Sequence, residues 1–187
     1  MKKLNHPNVI SFKEIINDTK FDYVYIIMAY ADDGDLNKRI KSRERMKCNE
    51  NEKLFSEEEI LNYFIQICKG LNFIHSKNII HRDIKSQNIF LMKNGSVKIG
   101  DFGIAKTLTK TRIIATTVVG TPYYFSPEII NGEPYNYKTD IWSLGVLLYE
   151  MCTLKLPFDS SNIAQLSMKI IKGNYEPISK KYSKGLH

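Results

Sequence analysis

Residues 81–88 read His81-Arg82-Asp83-Ile84-Lys85-Ser86-Gln87-Asn88, and thirteen residues after Asn88 comes Asp101-Phe102-Gly103. Together the strings offer a carboxylate to orient a hydroxyl and a lysine to meet developing negative charge. They also offer an amide and a second carboxylate as hard oxygen donors for magnesium. This is the set of groups that phosphoryl transfer requires. Either string alone could arise by chance. Both in order, followed by Gly120-Thr121-Pro122 and Ser126-Pro127-Glu128, leave little room for another reading.

The spacing between the strings has its own logic. Residues 89–92 and 97–100 flank Asn94-Gly95, a two-residue turn signal. Such a hairpin holds Asn88 just before one strand and Asp101 just after the other, so two oxygen ligands converge on one metal-sized space. Upstream, Ser56 and Glu59 form a capping box, with Phe55 and Ile60 as a hydrophobic staple. Ile60, Phe64, Ile67, Leu71 and Ile74 then share one face at helical spacing, which predicts a long buried helix. Residues 9–16 and 23–30 read as strands joined by a turn over 17–20. Residues 36–46 read as a charged helix and 47–54 as a solvated loop. Residues 104–120 lack periodicity and predict a loop. Residues 141–154 predict a helix buried on most sides, and 162–172 an amphipathic helix.

Composition narrows the classes. A chain of 187 residues with 43% hydrophobic and 25% charged content is sized for one domain with a real core. The net charge of +7 comes from scattered lysines, with no basic run and no aromatic-basic interleaving, so a nucleic-acid partner is not expected. Cys48, Cys68 and Cys152 lie far apart without C-x-x-C spacing, which fits a reducing compartment and neither a disulfide framework nor a zinc site. No signal peptide opens the chain and no apolar run approaches about 18 residues, so no membrane partner is expected.

The ordered motifs resemble those of the eukaryotic protein kinases, and Lys85, two residues after Asp83, marks the Ser/Thr branch. Residues 81–91, Gly100 before Asp101, residues 119–128 and Cys152-Thr153-Leu154-Lys155 are similar to the NIMA-related (Nek) kinases. The resemblance covers nearly the whole chain. It implies an α+β, protein-kinase-like fold with a partial small lobe of strands and a mostly helical large lobe. Residues 1–30 would be a small-lobe remnant, the end of a regulatory helix and the fourth and fifth strands. Residues 31–187 would be a large lobe lacking its distal helices.

The same resemblance implies ATP and Mg²⁺ as cofactors, protein Ser/Thr hydroxyls as substrates, and a cytoplasmic protein with cytoskeletal or nuclear association. By that likeness Asp83 is the catalytic base, Lys85 neutralises the transferred phosphate, and Asn88 and Asp101 hold the metal. Met28 controls the back of the purine pocket, backbone groups of Ala29 and Ala31 meet adenine, Phe90 forms its floor and Asp35 reaches the ribose. Arg82 would meet a phosphate on Thr117, placed there by a regulatory kinase. Thr116 is the competing acceptor, and Thr121 bonds toward Asp83 and Lys85. His81, Phe102 and Phe12 form an internal column tethered by Asp140. Glu128, whose family partner is an arginine in the distal helices, is expected to be buried and unpaired. The Gly-rich loop and the lysine that anchors phosphates have no counterpart in the chain, so a non-catalytic, kinase-like binding module is the alternative reading.

Overall fold

The structure is a computed structural model that describes residues 4–101 and 122–186. Phe102, Thr116, Thr117, Thr121 and the loop expected over 104–120 lie outside the described residues. The fold is α+β. Strands β1 (Phe12–Asp18) and β2 (Tyr23–Met28) form one antiparallel hairpin, and β3 (Ile89–Leu91) and β4 (Val97–Ile99) form a second. The helices are α1 (Leu36–Glu44), α2 (Glu50–Lys53), α3 (Glu57–Ser76), α4 (Pro127–Ile130), α5 (Lys138–Thr153) and α6 (Ile163–Lys172), with a 3₁₀ turn at Ser86–Asn88. Among the described residues no helix is long and apolar enough to cross a membrane.

Helix α3 forms where its sequence signals place it. The Glu59 amide donates to Ser56 Oγ at 3.2 Å and the Ser56 amide donates to Glu59 Oε2 at 2.9 Å, closing the capping box. A cap contributes about 1 kcal/mol. Ile60, Ile67, Leu71 and Ile74 are buried, and each stabilises by about 1.5–3 kcal/mol, so packing rather than capping decides this helix. Its apolar face meets β4 and α5, and these elements with Val9 and Leu36 make the main core. A smaller cluster gathers Leu166 and Ile170 of α6 against Phe158 and Trp142.

Three local readings shift. The first turn falls at residues 19–22, because Asp18 Oδ1 accepts the Lys20 and Phe21 amides at 3.0 and 3.2 Å and Asp22 takes φ +54°. Val9 leaves the hairpin altogether. It bridges β4 in parallel, with the Ile99 amide donating to Asn8 O at 2.9 Å and the Ile10 amide to Ile99 O at 2.8 Å. The stretch read as a solvated loop contains α2, started by the Asn49 carbonyl accepting the Glu52 and Lys53 amides.

The β3–β4 turn also differs from the two-residue expectation. The Met92 amide still pairs with Ser96 O at 3.0 Å, so the loop is Lys93-Asn94-Gly95. The Gly95 amide donates to Met92 O at 2.8 Å and Gly95 adopts φ +80°, the left-handed position that closes a three-residue hairpin. Asn94 therefore serves inside a turn, and the glycine takes the strained position.

Contact between α3 and the strand layer is close at Gly70, where a Cβ would lie 2.5 Å from the Asn8 carbonyl oxygen. Gly145, exposed on α5, has nothing within 4 Å of such an atom. Gly70→Ala should therefore destabilise the fold by about 1–3 kcal/mol through overpacking. Gly145→Ala should stabilise it by roughly 0.5–1 kcal/mol through helix propensity. Chemical denaturation midpoints of the two variants, moving in opposite directions, check this.

Candidate functional site

The loop that carries the candidate groups is fastened from beneath by an acid. Asp140, in the first turn of α5, has no solvent exposure. Its Oδ2 accepts the His81 amide at 2.9 Å and contacts His75 Nε2 at 2.7 Å, while its Oδ1 accepts the Arg82 amide at 2.8 Å. A buried carboxylate is tolerable only when donors replace its lost water. Here they do, and they hold Arg82 at φ +70°, a conformation that a non-glycine residue adopts only under constraint.

His81 is 2% exposed, and its ring nitrogens are both engaged by backbone. The Asp83 amide donates to Nδ1 at 3.3 Å, and Nε2 faces the Gly100 carbonyl at 3.1 Å. That pattern requires the neutral ring protonated on Nε2. Burial holds the His81 pKa below its usual value, against opposing pulls from Asp140, the Gly100 carbonyl, Asp83 and Asp101.

Asp83, Lys85 and Asn88 come together above this base. Lys85 Nζ lies 3.0 and 2.8 Å from the two Asp83 carboxylate oxygens. Asn88 Nδ2 donates to Asp83 O at 2.8 Å and to Asp83 Oδ2 at 2.9 Å. With its nitrogen committed, the amide leaves Oδ1 as its acceptor. Asp83 and Lys85 side chains are about a third exposed, at 30% and 33%, so both reach solvent while ordered. The Gly100 amide donates to Asn88 O at 3.0 Å, which brings Asp101 beside Asn88 across the mouth of the β3–β4 hairpin. Asp101 is exposed and takes φ +53°.

A second set of residues lines up along β3. The Leu91 amide donates to Gly34 O at 2.9 Å and the Asp33 amide to Leu91 O at 3.2 Å, and Asp35 bridges Phe90. Asp35 Oδ1 caps α1 through the Lys38 amide at 2.8 Å, and its Oδ2 faces Lys38 Nζ at 3.4 Å. Phe90 packs closely on Gly100, where a Cβ would come within 2.4 Å of the ring. Met28 ends β2 at 40% exposure, opposite Phe12. The Ala29 amide donates to Ser11 O at 2.9 Å; no backbone hydrogen bond among the described residues uses the Ala29 carbonyl or the Ala31 amide.

These donors suit a magnesium nucleotide. Asn88 Oδ1 and the Asp101 carboxylate are hard oxygens. No group of three or more His, Cys, Asp or Glu side chains converges among the described residues, so a metal here would rest on few protein ligands. Mg²⁺ is commonly held that way, through one or two carboxylates plus phosphate oxygens. An apolar ring for the base's face and backbone polar groups for its edge are what a purine needs.

Glu128 departs from expectation. It lies in the first turn of α4, only partly buried, and makes no ion pair among the described residues. The residue is not fully buried, so the severe penalty of a fully buried, unpaired acid does not apply. It lines a cavity of about 750 Å³ with Trp142, Tyr149, Phe158 and Tyr175, which none of the other described candidate residues joins. Arg82 places its guanidinium 5.5 Å from the Tyr135 ring, a cation–π contact.

The sequence reading missed His75, Ser86, Tyr124 and Glu150. His75 carries no signal beyond its place near the end of α3. Glu150 does carry one, as an acid inside the apolar run of α5.

The protein kinase domain family matches residues 1–184. The human serine/threonine-protein kinase Nek5 is 50% identical over 188 residues, covering 100% of this chain and 25% of that protein. Mouse serine/threonine-protein kinase Nek3 is 49% identical over 183 residues, covering 98% and 34%. A probable serine/threonine-protein kinase, nek3 of Dictyostelium discoideum, is 50% identical over 192 residues, covering 100% and 16%. The chain thus spans about a third or less of the length of these three relatives.

Two outcomes test the base of the site. Asp140→Asn replaces one acceptor by a donor facing backbone N–H groups, and should cost about 3–5 kcal/mol of stability in denaturant unfolding. Because the folded His81 pKa is depressed, its contribution is present above the usual value of about 6.5 and is lost as pH falls toward the folded value. Calorimetry in buffers of different ionisation heat should show proton uptake on unfolding in that window, and His81→Asn should reduce it.

Proposed function

The chain belongs to the protein kinase family, in its NIMA-related branch, and on that premise we propose that it carries the centre of a Ser/Thr protein kinase. The reaction is transfer of the γ-phosphoryl group of ATP to the hydroxyl of a protein Ser or Thr. The observation that carries this reading is the clamp on Asp83, whose carboxylate meets Lys85 Nζ at 2.8 Å and Asn88 Nδ2 at 2.9 Å while staying open to solvent.

Each group then has a task its geometry supports. Asp83 accepts the hydrogen of the substrate hydroxyl and aims its oxygen, with its own rotation fixed by Asn88. Lys85 keeps a positive charge beside that oxygen, where negative charge builds on the transferred group. Asn88 Oδ1 and Asp101 would hold Mg²⁺, which supplies charge screening between phosphates. The Ala29 carbonyl and Ala31 amide accept and donate to the adenine edge over Phe90, Met28 bounds the pocket behind it, and Asp35 turns to the ribose. Residues 1–30 make the small-lobe side of this cleft and 31–187 the large-lobe side. Arg82 receives a phosphate on Thr117, or on Thr116 in its place, set there by a regulatory kinase. The His81 ring is structural: its nitrogens hold the Asp83 amide and the Gly100 carbonyl, which leaves none for proton transfer.

Asp83→Asn keeps the shape and removes the charge. It should lower phosphate transfer to a Ser/Thr peptide by about 10²–10⁴-fold and leave nucleotide affinity within about twofold. Radiolabelled phosphate incorporation and nucleotide titration measure the two. An unsubstituted chain that binds ATP and transfers nothing would instead establish the non-catalytic binding module.

A further inference from the structure

Glu150 is 8% exposed, and both of its carboxylate oxygens are met by hydroxyls from stretches remote in sequence. Ser86 Oγ donates to Oε1 at 3.1 Å, and the Tyr124 hydroxyl donates to Oε2. The two hydroxyls also lie 3.2 Å apart. Ser86 has no exposure and opens the 3₁₀ turn that ends on Asn88, with Lys85 immediately before it. Tyr124 belongs to a stretch fastened to the same helix, through Ser143 Oγ donating to Tyr124 O at 2.8 Å and through a 2.7 Å contact between Ser126 and Thr139 hydroxyls.

Apolar packing does not explain this arrangement. Ile84 and Ile89, at 1% and 0% exposure, already bury the ends of the turn. Dispersion contacts tolerate small slides, whereas hydrogen bonds to a carboxylate weaken steeply with distance and angle. Burial pushes the Glu150 pKa up, and burial followed by the Glu150 charge pushes the Tyr124 hydroxyl up, so Tyr124 stays a donor.

We propose that Ser86, Tyr124 and Glu150 form a positioning relay, in which Glu150 fixes the turn that carries Lys85 and Asn88 and Tyr124 makes that placement depend on where residues 122–126 lie. The three are positioning residues; none touches a reacting atom. The proposal rests on the phosphoryl-transfer reading of Asp83, Lys85 and Asn88. Removing either hydroxyl leaves a buried carboxylate oxygen without its donor, so the turn and the 122–126 stretch lose their shared reference point.

The test uses the full chain with Ser86→Ala, Tyr124→Phe and the double variant. Hydrogen exchange reads the turn directly, because the Asn88 amide donates to Lys85 O at 2.9 Å. Each single variant should speed exchange at Asn88 about tenfold and leave Leu71 in α3 unchanged. In phosphate transfer each should lower kcat about tenfold with KM for ATP within about twofold. The double variant should be no worse than the more severe single, since both hydroxyls act through one carboxylate. Unchanged Asn88 exchange, equal acceleration at Leu71, or multiplied losses in the double variant would each overturn the relay. If the unsubstituted chain transfers no phosphate, the functional reading fails by itself, and the exchange measurement still decides the relay.

Discussion

Asp140 sits beneath the 81–83 loop with no access to water, and both of its oxygens are spent on that loop and on His75. A carboxylate stripped of solvent is costly unless donors converge on it, so the acid and the loop are mutually dependent. The loop gains a fixed height above α5 and a left-handed residue at Arg82 that no local preference would select. Every candidate catalytic group is referred to that height. Asp83 follows at once, His81 joins it to Gly100, and the Gly100 amide joins Asn88.

Helix α5 does more than hold one loop. Asp140, Ser143, Leu147 and Glu150 recur on one buried face at helical spacing, and three of the four are polar. The apolar residues beside them, Leu144 and Met151, belong to the main core. Burial therefore supplies the energy and the polar atoms supply the address. Asp140 holds residues 81–82, Ser143 and Thr139 hold residues 124 and 126, and Glu150 joins Tyr124 to Ser86 of the same 81–88 string. An oily helix could stabilise these segments without fixing their relative position.

Close backbone approaches complete the frame. Gly70 lets α3 touch the Asn8 carbonyl, which in turn accepts from Ile99. Gln66 Oε1 takes both the Asn8 side chain at 3.0 Å and the Val97 amide at 2.9 Å, pinning the hairpin from the helix side. Gly100 allows Phe90 to lie against the chain just before Asp101. The apolar floor and the proposed metal ligand are thus neighbours because one residue lacks a side chain.

Much of this was legible in the residue order. The capping box of α3, its apolar spacing, the β3–β4 hairpin and the donor set at 83, 85, 88 and 101 all follow from local chemistry, because each depends on residues a few positions apart. The turn details slipped, since Asp18 and Gly95 could each serve more than one turn and only pairing across the strands selects among them. Glu128 is only partly buried, because its exposure depends on which distant segments pack over it, and residue order does not show that. The sequence by itself determined the kinds of groups present and the family they mark. The family resemblance already implied the Asp140 tether; tertiary structure alone decided that the Glu150 carboxylate, remote from the 81–88 string, also meets it through Ser86, because a buried charge chooses its partners in space and leaves no fixed spacing along the chain.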